Sequence, residues 1–164
     1  MKGVELDNIL YWYLGTVHRV YDGDTFTQVT TKLGMKAVHE KERFRLWGIQ
    51  ANETRGKWRT EEYKERAEKA KKRLRELTYG DVLLRTFKTN KSNELDKYGK
   101  YGRWLCIVFV PYVRVQEIGT SIDYATLLEL EMEGRKVVRD IGGYQFVDVN
   151  LLLVAEGLAD IKYY

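Results

Sequence analysis

Acidic and basic residues stand at the ends of three predicted strands, where their side chains could meet. Asp22 and Asp24 occupy an Asp-Gly turn. Arg45 lies on a short apolar strand, Glu53 follows that strand, and Arg103 opens a later one. Carboxylate oxygens suit a hard cation such as calcium, forked arginine donors suit a phosphate, and a separate carboxylate could take a proton from water. Together these groups would make a metal-assisted phosphodiesterase, whereas each alone could be a structural turn or a surface ion pair.

The chain has the composition of a folded, soluble protein whose positive charge is unevenly distributed. Its 164 residues are 44% hydrophobic and 32% charged, with a formal net charge of +4, which argues against a disordered chain. Residues 57–77 carry nine Lys and Arg against five Glu, and residues 81–103 carry six basic residues against three acids. Residues 113–148 carry four basic residues against seven acids. A polyanion would therefore be drawn to the first two regions.

Neither a secretory signal nor a membrane-spanning segment is predicted from the sequence. The opening "MKGVELDNIL" has acids where a secretory signal needs basic and then apolar residues. No later stretch approaches about 18 apolar residues, so we expect a cytoplasmic protein that does not contact a membrane. Cys106 is the only cysteine and lies in the apolar run "WLCIVFV", which favours a buried core thiol over a reactive one.

Five strands are predicted around one helix. A strand over residues 9–20 ends at "YDGDT", an Asp-Gly hairpin signal. The next strands cover residues 25–31 and 43–49, and three successive strands of this kind suggest a curled meander. Two further strands, over residues 81–87 and 103–110, flank a polar loop.

Two helices are predicted from their end signals and apolar spacing. The first begins after Thr60, its N-cap, and ends near Gly80. Its apolar residues recur every three or four positions, at Tyr63, Ala67, Ala70, Leu74 and Leu77. A short second helix near the end of the chain is predicted to be capped by Asn150 and to end at Gly157. Short strands with an interposed helix are compatible with a Greek-key barrel such as the OB-fold.

The chain contains, in this order, "VYDGDTFT", "FRLWGIQANETRG", "DKYGKYGRWL" and "VNLLLVAEGLADIKYY". In order and spacing these segments resemble motifs of the staphylococcal nuclease family, also called thermonucleases, over about residues 15–112 and 147–164. The resemblance implies an α+β fold, a five-stranded OB-type Greek-key β-barrel with two or three helices, in a single domain over residues 1–164. It also implies calcium-dependent hydrolysis of the phosphodiester bonds of DNA, RNA or both, and other divalent cations could replace calcium.

The resemblance assigns a metal site to four residues. Asp24 matches the metal-binding aspartate of the family, and Asp22 matches the neighbouring acid that supports the water shell of the metal. Ala51 matches the residue that contributes a backbone carbonyl. Gln50 stands where the family usually has a second metal-binding aspartate.

The resemblance also assigns the catalytic and nucleic-acid-binding residues. Arg45 and Arg103 match the two arginines that clamp the phosphate, and Glu53 matches the glutamate usually described as the general base. The aromatic residues matched to the nucleotide suit base stacking, and a lysine is a further phosphate contact. The residues predicted to contact the nucleic acid are Lys100, Tyr101 and Tyr163.

The chain departs from the family pattern at Gln50 and at Asn52, which replaces a frequent proline. Gln50 keeps an oxygen that could bind a metal but removes one negative charge, which should weaken a calcium site. The alternative function is a non-catalytic nucleic-acid- or protein-binding barrel of the same fold. Retention of the four charged residues that the family uses in catalysis favours the nuclease.

Residues 113–146 form an insertion relative to the family, which has a short hairpin there. Residues 128–133 alternate apolar with acidic, which favours a hairpin closing near Gly134, although an amphipathic helix fits the same letters. We expect a hairpin-like insertion. Its acidic side chains could contact a protein partner, mask the site or merely lengthen the hairpin.

Overall fold

The computed structural model describes residues 12–33, 35–41, 43–56, 59–91 and 104–163, which form an α+β fold. The strands are β1 (Trp12–Asp22), β2 (Thr25–Leu33), β3 (Lys36–Glu40), β4 (Phe44–Leu46), β5 (Ile49–Ala51), β6 (Asp81–Lys91), β7 (Trp104–Pro111), β8 (Glu131–Met132), β9 (Arg135–Lys136), β10 (Val138–Ile141), β11 (Tyr144–Asp148) and β12 (Ala159–Ile161). The helices are α1 (Glu61–Leu77), α2 (Tyr112–Ile118), α3 (Tyr124–Glu129) and α4 (Val149–Ala155). The described residues thus contain four helices, where two or three were predicted.

The larger sheet is mostly antiparallel and partly closes on itself. β1 pairs with β2 on one side and with β6 on the other, β6 pairs with β7, and β2 pairs with β4. β4 then runs parallel to β7, so these five strands have a partly ring-like arrangement. Phe26, Leu46 and Val108 are fully buried in the core that the strands share with the helices. Each such side chain contributes roughly 1.5–3 kcal/mol by its burial.

The register of β4 brings two predicted site segments together. Arg45 lies opposite Thr25 on β2 and beside Leu105 on β7. The backbone N–H of Leu46 donates to the carbonyl of Asp24 at 2.8 Å. The β1–β2 turn and the arginine-bearing strand are therefore neighbours, although about twenty residues separate them in the sequence.

The third predicted strand, residues 43–49, is interrupted by a turn. β4 and β5 flank Trp47 and Gly48, which form that turn. Gly48 has a φ of 79°, and a Cβ at this position would lie 2.9 Å from the ring of Tyr163, so the turn requires glycine. A further strand, β3, was not predicted: residues 36–40 pair antiparallel with β2 in a segment expected to be a connection.

Helix α1 confirms the predicted cap and apolar face. The Thr60 hydroxyl accepts a hydrogen bond from the Tyr63 N–H at 3.1 Å, as an N-cap should. The residues that it buries are Ala67, Ala70, Leu74 and Leu77. The helix ends at Leu77, because the Thr78 N–H and hydroxyl both donate to the Leu74 carbonyl. Neither α1 nor any other described helix is both long and apolar enough to cross a membrane.

The predicted cap of the C-terminal helix is wrong. The N-cap of α4 is Asp148, whose carboxylate accepts from the Leu151 N–H at 3.0 Å. Asn150 is instead fully buried, and its amide nitrogen donates to the carbonyls of Trp47 and Cys106. Asparagine can serve either as an N-cap or as a buried side chain that bonds backbone groups, so the sequence alone did not distinguish the two roles. Cys106 is buried as predicted, and burial raises the pKa of its thiol.

The insertion is more elaborate than the predicted hairpin. Within residues 113–146 the chain contains most of α2, all of α3, the β8–β9 hairpin, β10 and part of β11. The hairpin expected near Gly134 is confirmed, because Met132 pairs with Arg135 across that turn. The preceding residues 124–129 are helical, since Asp123 caps α3 by accepting from the Thr126 N–H. The two alternatives for the acidic segment therefore each hold for part of it.

Candidate active site

A pocket of about 300 Å³ is lined by the β1–β2 turn, β4, β5 and the segment after β5. Six of the predicted site residues lie on its wall: Asp22, Asp24, Arg45, Gln50, Ala51 and Glu53. The remaining lining residues are Tyr21, Thr25, Arg43 and Arg55. The fold thus assembles residues from separate stretches of chain into one cavity that contains both acids and arginines.

Asp24 is the most enclosed acid of the pocket. One carboxylate oxygen accepts from the Ala51 N–H at 2.9 Å, and the other accepts from the Thr25 hydroxyl at 2.8 Å. Arg45 lies 3.5 Å from the first oxygen, and the two side chains are only 5% and 7% exposed. These contacts hold the Asp24 carboxylate in one orientation, and Arg45 compensates its buried charge.

Asp22 is oriented by Thr54, which follows β5. A single carboxylate oxygen, Oδ1, accepts from the Thr54 hydroxyl at 2.8 Å and from the Thr54 N–H at 3.2 Å. The Asp22 side chain therefore links the β1–β2 turn to the segment that carries Glu53. Thr54 had no predicted role, and nothing in its sequence position identifies one.

Glu53 differs from the two aspartates because its side chain is 60% exposed. Its carboxylate pairs with Arg59 at 3.1 Å, and its backbone N–H donates to the Tyr63 hydroxyl at 3.0 Å. The Arg59 guanidinium stacks on the Tyr63 ring at 4.4 Å. Tyr63 on the first turn of α1 and Arg59, two residues before the helix, thus position Glu53 on the pocket wall, roles that the sequence did not predict.

Two further arginines line the pocket beside Arg45. Arg43 and Arg55 contact the Tyr21 ring, with guanidinium carbons 4.4 and 5.3 Å from its centroid. Arginine stacked on an aromatic ring keeps its donors available for a planar or tetrahedral anion. The wall therefore offers three arginines to a phosphate, of which the sequence analysis assigned only Arg45.

The C-terminal strand supports the wall of the pocket from behind. β12 pairs with β5, which places Ala159 opposite Ala51 and Asp160 opposite Gln50. Arg66 on α1 binds both carboxylate oxygens of Asp160, at 3.1 and 3.2 Å. The positions of Gln50 and Ala51 therefore depend on the end of the chain as well as on β4.

The chemistry of the donor set suits a hard cation that keeps much of its water. Two carboxylates, the amide oxygen of Gln50 and the Ala51 carbonyl are all oxygen ligands, as calcium and magnesium prefer. Among the described residues, no three His, Cys, Asp or Glu side chains gather as a metal-binding group. Calcium takes about six to eight oxygen ligands, so a cation held by these four groups would complete its shell with water or phosphate oxygens.

Four predicted residues lie away from this pocket or outside the described part of the chain. Tyr163 does not line the pocket, and its ring packs edge-on against Trp47, 4.9 Å between centroids. Lys100, Tyr101 and Arg103 lie outside the described residues. Their roles stay predictions from the sequence.

The sequence matches no protein-family model. No curated protein matches it significantly either. The resemblance to the staphylococcal nuclease family therefore rests on the four motifs alone and stays a prediction.

Proposed function

We propose that this chain is a divalent-metal-dependent nuclease of the staphylococcal nuclease type that hydrolyses phosphodiester bonds of DNA, RNA or both. We also propose that its partly ring-like strands form a five-stranded OB-type Greek-key barrel. The observation that supports the function most directly is the meeting of Asp22, Asp24, Arg45 and Glu53 in one pocket. Acids for a cation, arginine for a phosphate and a separate acid for a proton are the groups that this hydrolysis requires.

Binding of the scissile phosphate falls to the arginines of the pocket. Arg45 donates hydrogen bonds from the buried wall of the pocket. Arg43 or Arg55, which stack on Tyr21, could supply a second guanidinium. Two forked cations would hold the phosphate and stabilise the charge that grows on its oxygens in the transition state. Arg103 keeps the second clamping role that the motif resemblance implies.

The proton transfer falls to Glu53. Its carboxylate takes a proton from a water molecule as the water oxygen attacks the phosphorus. The new P–O bond forms, the P–O bond to the leaving sugar oxygen breaks, and that oxygen takes a proton from solvent. Because Glu53 is largely exposed yet paired with Arg59, it can meet water while its direction is held. Arg59 is thus a positioning residue.

Asp22, Asp24, Gln50 and the Ala51 carbonyl are the groups that would hold a calcium ion. A bound divalent cation supplies Lewis acidity: it neutralises charge on the phosphate and lowers the pKa of bound water. The Gln50→Asp substitution restores one negative charge to the set. We expect it to lower the calcium concentration required for half-maximal cleavage, because affinity at such sites rises with ligand charge.

Cleavage assays on purified protein test the proposal. Single-stranded DNA, double-stranded DNA and RNA are each incubated with calcium, magnesium, manganese or EDTA. We expect metal-dependent cleavage that falls by about two orders of magnitude or more in Glu53→Gln and Arg45→Ala. The matched control is Glu62→Gln, an exposed acid on the first turn of α1 that does not line the pocket. Equal cleavage by Glu53→Gln and the control, with all variants folded by circular dichroism, would refute the assignment.

The non-catalytic barrel is the second candidate, and Gln50 is the observation that favours it. This reading predicts nucleic-acid or protein binding without cleavage under any metal. If Gln50→Asp then acquires metal-dependent cleavage, the other site residues are competent and Gln50 alone disarms the site. If Gln50→Asp is also inactive while binding persists, the chain is a binding module.

A further inference from the structure

A second pocket, of about 600 Å³, lies where the insertion meets β6. Four basic residues line it: Arg85 from β6, Arg135 and Lys136 from β9, and Arg139 from β10. Asp140 is the only acid among its described lining residues. The insertion has an excess of acids in sequence, but the fold concentrates three of its four basic residues on this one wall.

Aromatic rings hold the arginines of this basic pocket in place. The Arg135 guanidinium lies 4.9 Å from the Trp47 ring, and that of Arg139 lies 5.3 Å from the Phe109 ring. Arg85 lies 5.8 Å from Trp12. Stacking restricts the motion of each cation and directs it without neutralising its charge.

Three of the four cations, Arg135, Lys136 and Arg139, lack a direct ion pair within the part of the chain that the structure describes. There, the three nitrogens of Arg135 are also enclosed without a hydrogen-bond acceptor. An enclosed guanidinium without an anion is unfavourable. The buried Asp148 carboxylate interacts electrostatically with Arg135 and Arg139 but forms no ion pair with either, and among the described residues its Oδ2 also lacks a hydrogen-bond partner.

The cations also repel one another. Burial lowers the pKa of Arg85, and the charges of Arg139 and Arg135 lower it further. Like charges held this close cost stability unless an anion lies among them. The repulsion between the cations, the lack of ion pairs at Arg135, Lys136 and Arg139 among the described residues, and the cavity therefore all favour a bound anion at this site.

We propose that the basic pocket binds an anion that carries one or more phosphate groups. Forked arginine donors match phosphate oxygens, and a cavity of this size can enclose a group larger than a single phosphate. The anion is either a free phosphorylated small molecule or a phosphate of a nucleic-acid backbone. The proposal does not depend on nuclease activity, because no lining residue is shared with the candidate active site.

Calorimetric titration of the full chain with inorganic pyrophosphate tests the proposal, in EDTA and at low ionic strength. We expect Lys136→Gln and Arg139→Gln each to weaken binding about tenfold, since each removes a charge-assisted hydrogen bond. Arg75→Gln removes the same charge from an exposed position on α1 and should change affinity less than about twofold. Lys136 is exposed, so its variant should keep the fold, which cooperative thermal unfolding checks.

Three results would overturn the proposal. These are no measurable binding, equal binding by all three variants, or binding that is lost only in Arg45→Ala, which would assign the anion to the other pocket. A short oligonucleotide added as competitor separates the two sources. Displacement of pyrophosphate that disappears in Lys136→Gln assigns a backbone phosphate, and failure to displace it assigns a free anion. Because none of these readouts involves cleavage, they stand whether or not the chain is a nuclease.

Discussion

Replacement of Asn150 by leucine tests how the turn behind the candidate active site is held. The Asn150 amide oxygen accepts from the Val108 N–H at 3.2 Å, and its nitrogen donates to the Trp47 carbonyl at 2.9 Å and the Cys106 carbonyl at 3.1 Å. Leucine preserves the volume but removes all three bonds. The Cys106 carbonyl keeps the Trp47 N–H as a donor, so the main cost falls on the Val108 N–H and the Trp47 carbonyl.

Loss of two buried backbone bonds, at roughly 1–3 kcal/mol each, lowers the free energy of unfolding by about 2–6 kcal/mol. Urea unfolding followed by tryptophan fluorescence measures this loss as a lower midpoint with an unchanged m-value. Gln116→Leu is the matched control, because it removes an exposed amide from α2 and should change stability by less than about 0.5 kcal/mol. If Asn150→Leu lost less than about 1 kcal/mol, the buried amide would not be what holds the turn.

Three further predictions concern charged groups. Burial raises the pKa of Asp148 to about 6. The folded state therefore binds the Asp148 proton more tightly than the unfolded state does. As a result, the contribution of this group to stability falls as the pH rises from about 4 to 6. Asp148→Asn keeps the helix cap and should remove that fall. In urea unfolding, the free energy of unfolding of the variant relative to the parent should therefore rise by about 2–3 kcal/mol between pH 4 and pH 7. Parallel pH profiles of variant and parent would contradict this prediction. Arg59→Gln should change stability by less than about 1 kcal/mol, because its partner Glu53 is largely exposed, yet lower turnover several-fold; unchanged turnover would show that Arg59 does not position Glu53. Arg73→Leu should lower the unfolding free energy by about 3–5 kcal/mol, because it leaves Glu156, which is 5% exposed, without its 2.6 Å ion pair, and a double variant that also carries Glu156→Leu should recover most of the loss.

Local patterns determined much of the α+β fold. The spacing of Ala67, Ala70 and Leu74 predicted the buried face of α1, and Thr60 predicted its start, because helix caps and periodicity act over a few residues. The Asp-Gly turn between β1 and β2 was likewise predicted. Predictions failed where one residue type serves two purposes, as at Asn150, whose amide bonds reach three backbone groups more than forty residues away.

The sequence by itself identified the chemical types of the candidate site, since Asp24, Arg45 and Glu53 could be selected from motifs without coordinates. Only the tertiary structure determined which side chains contact them. Arg59, which precedes α1, pairs with Glu53, and Arg66 on α1 pairs with Asp160 on β12. The basic pocket is the clearest case, because three of its four cations belong to an insertion with more acids than bases. Net charge adds along the chain, whereas an electrostatic field depends on distance in space, and the fold alone sets those distances.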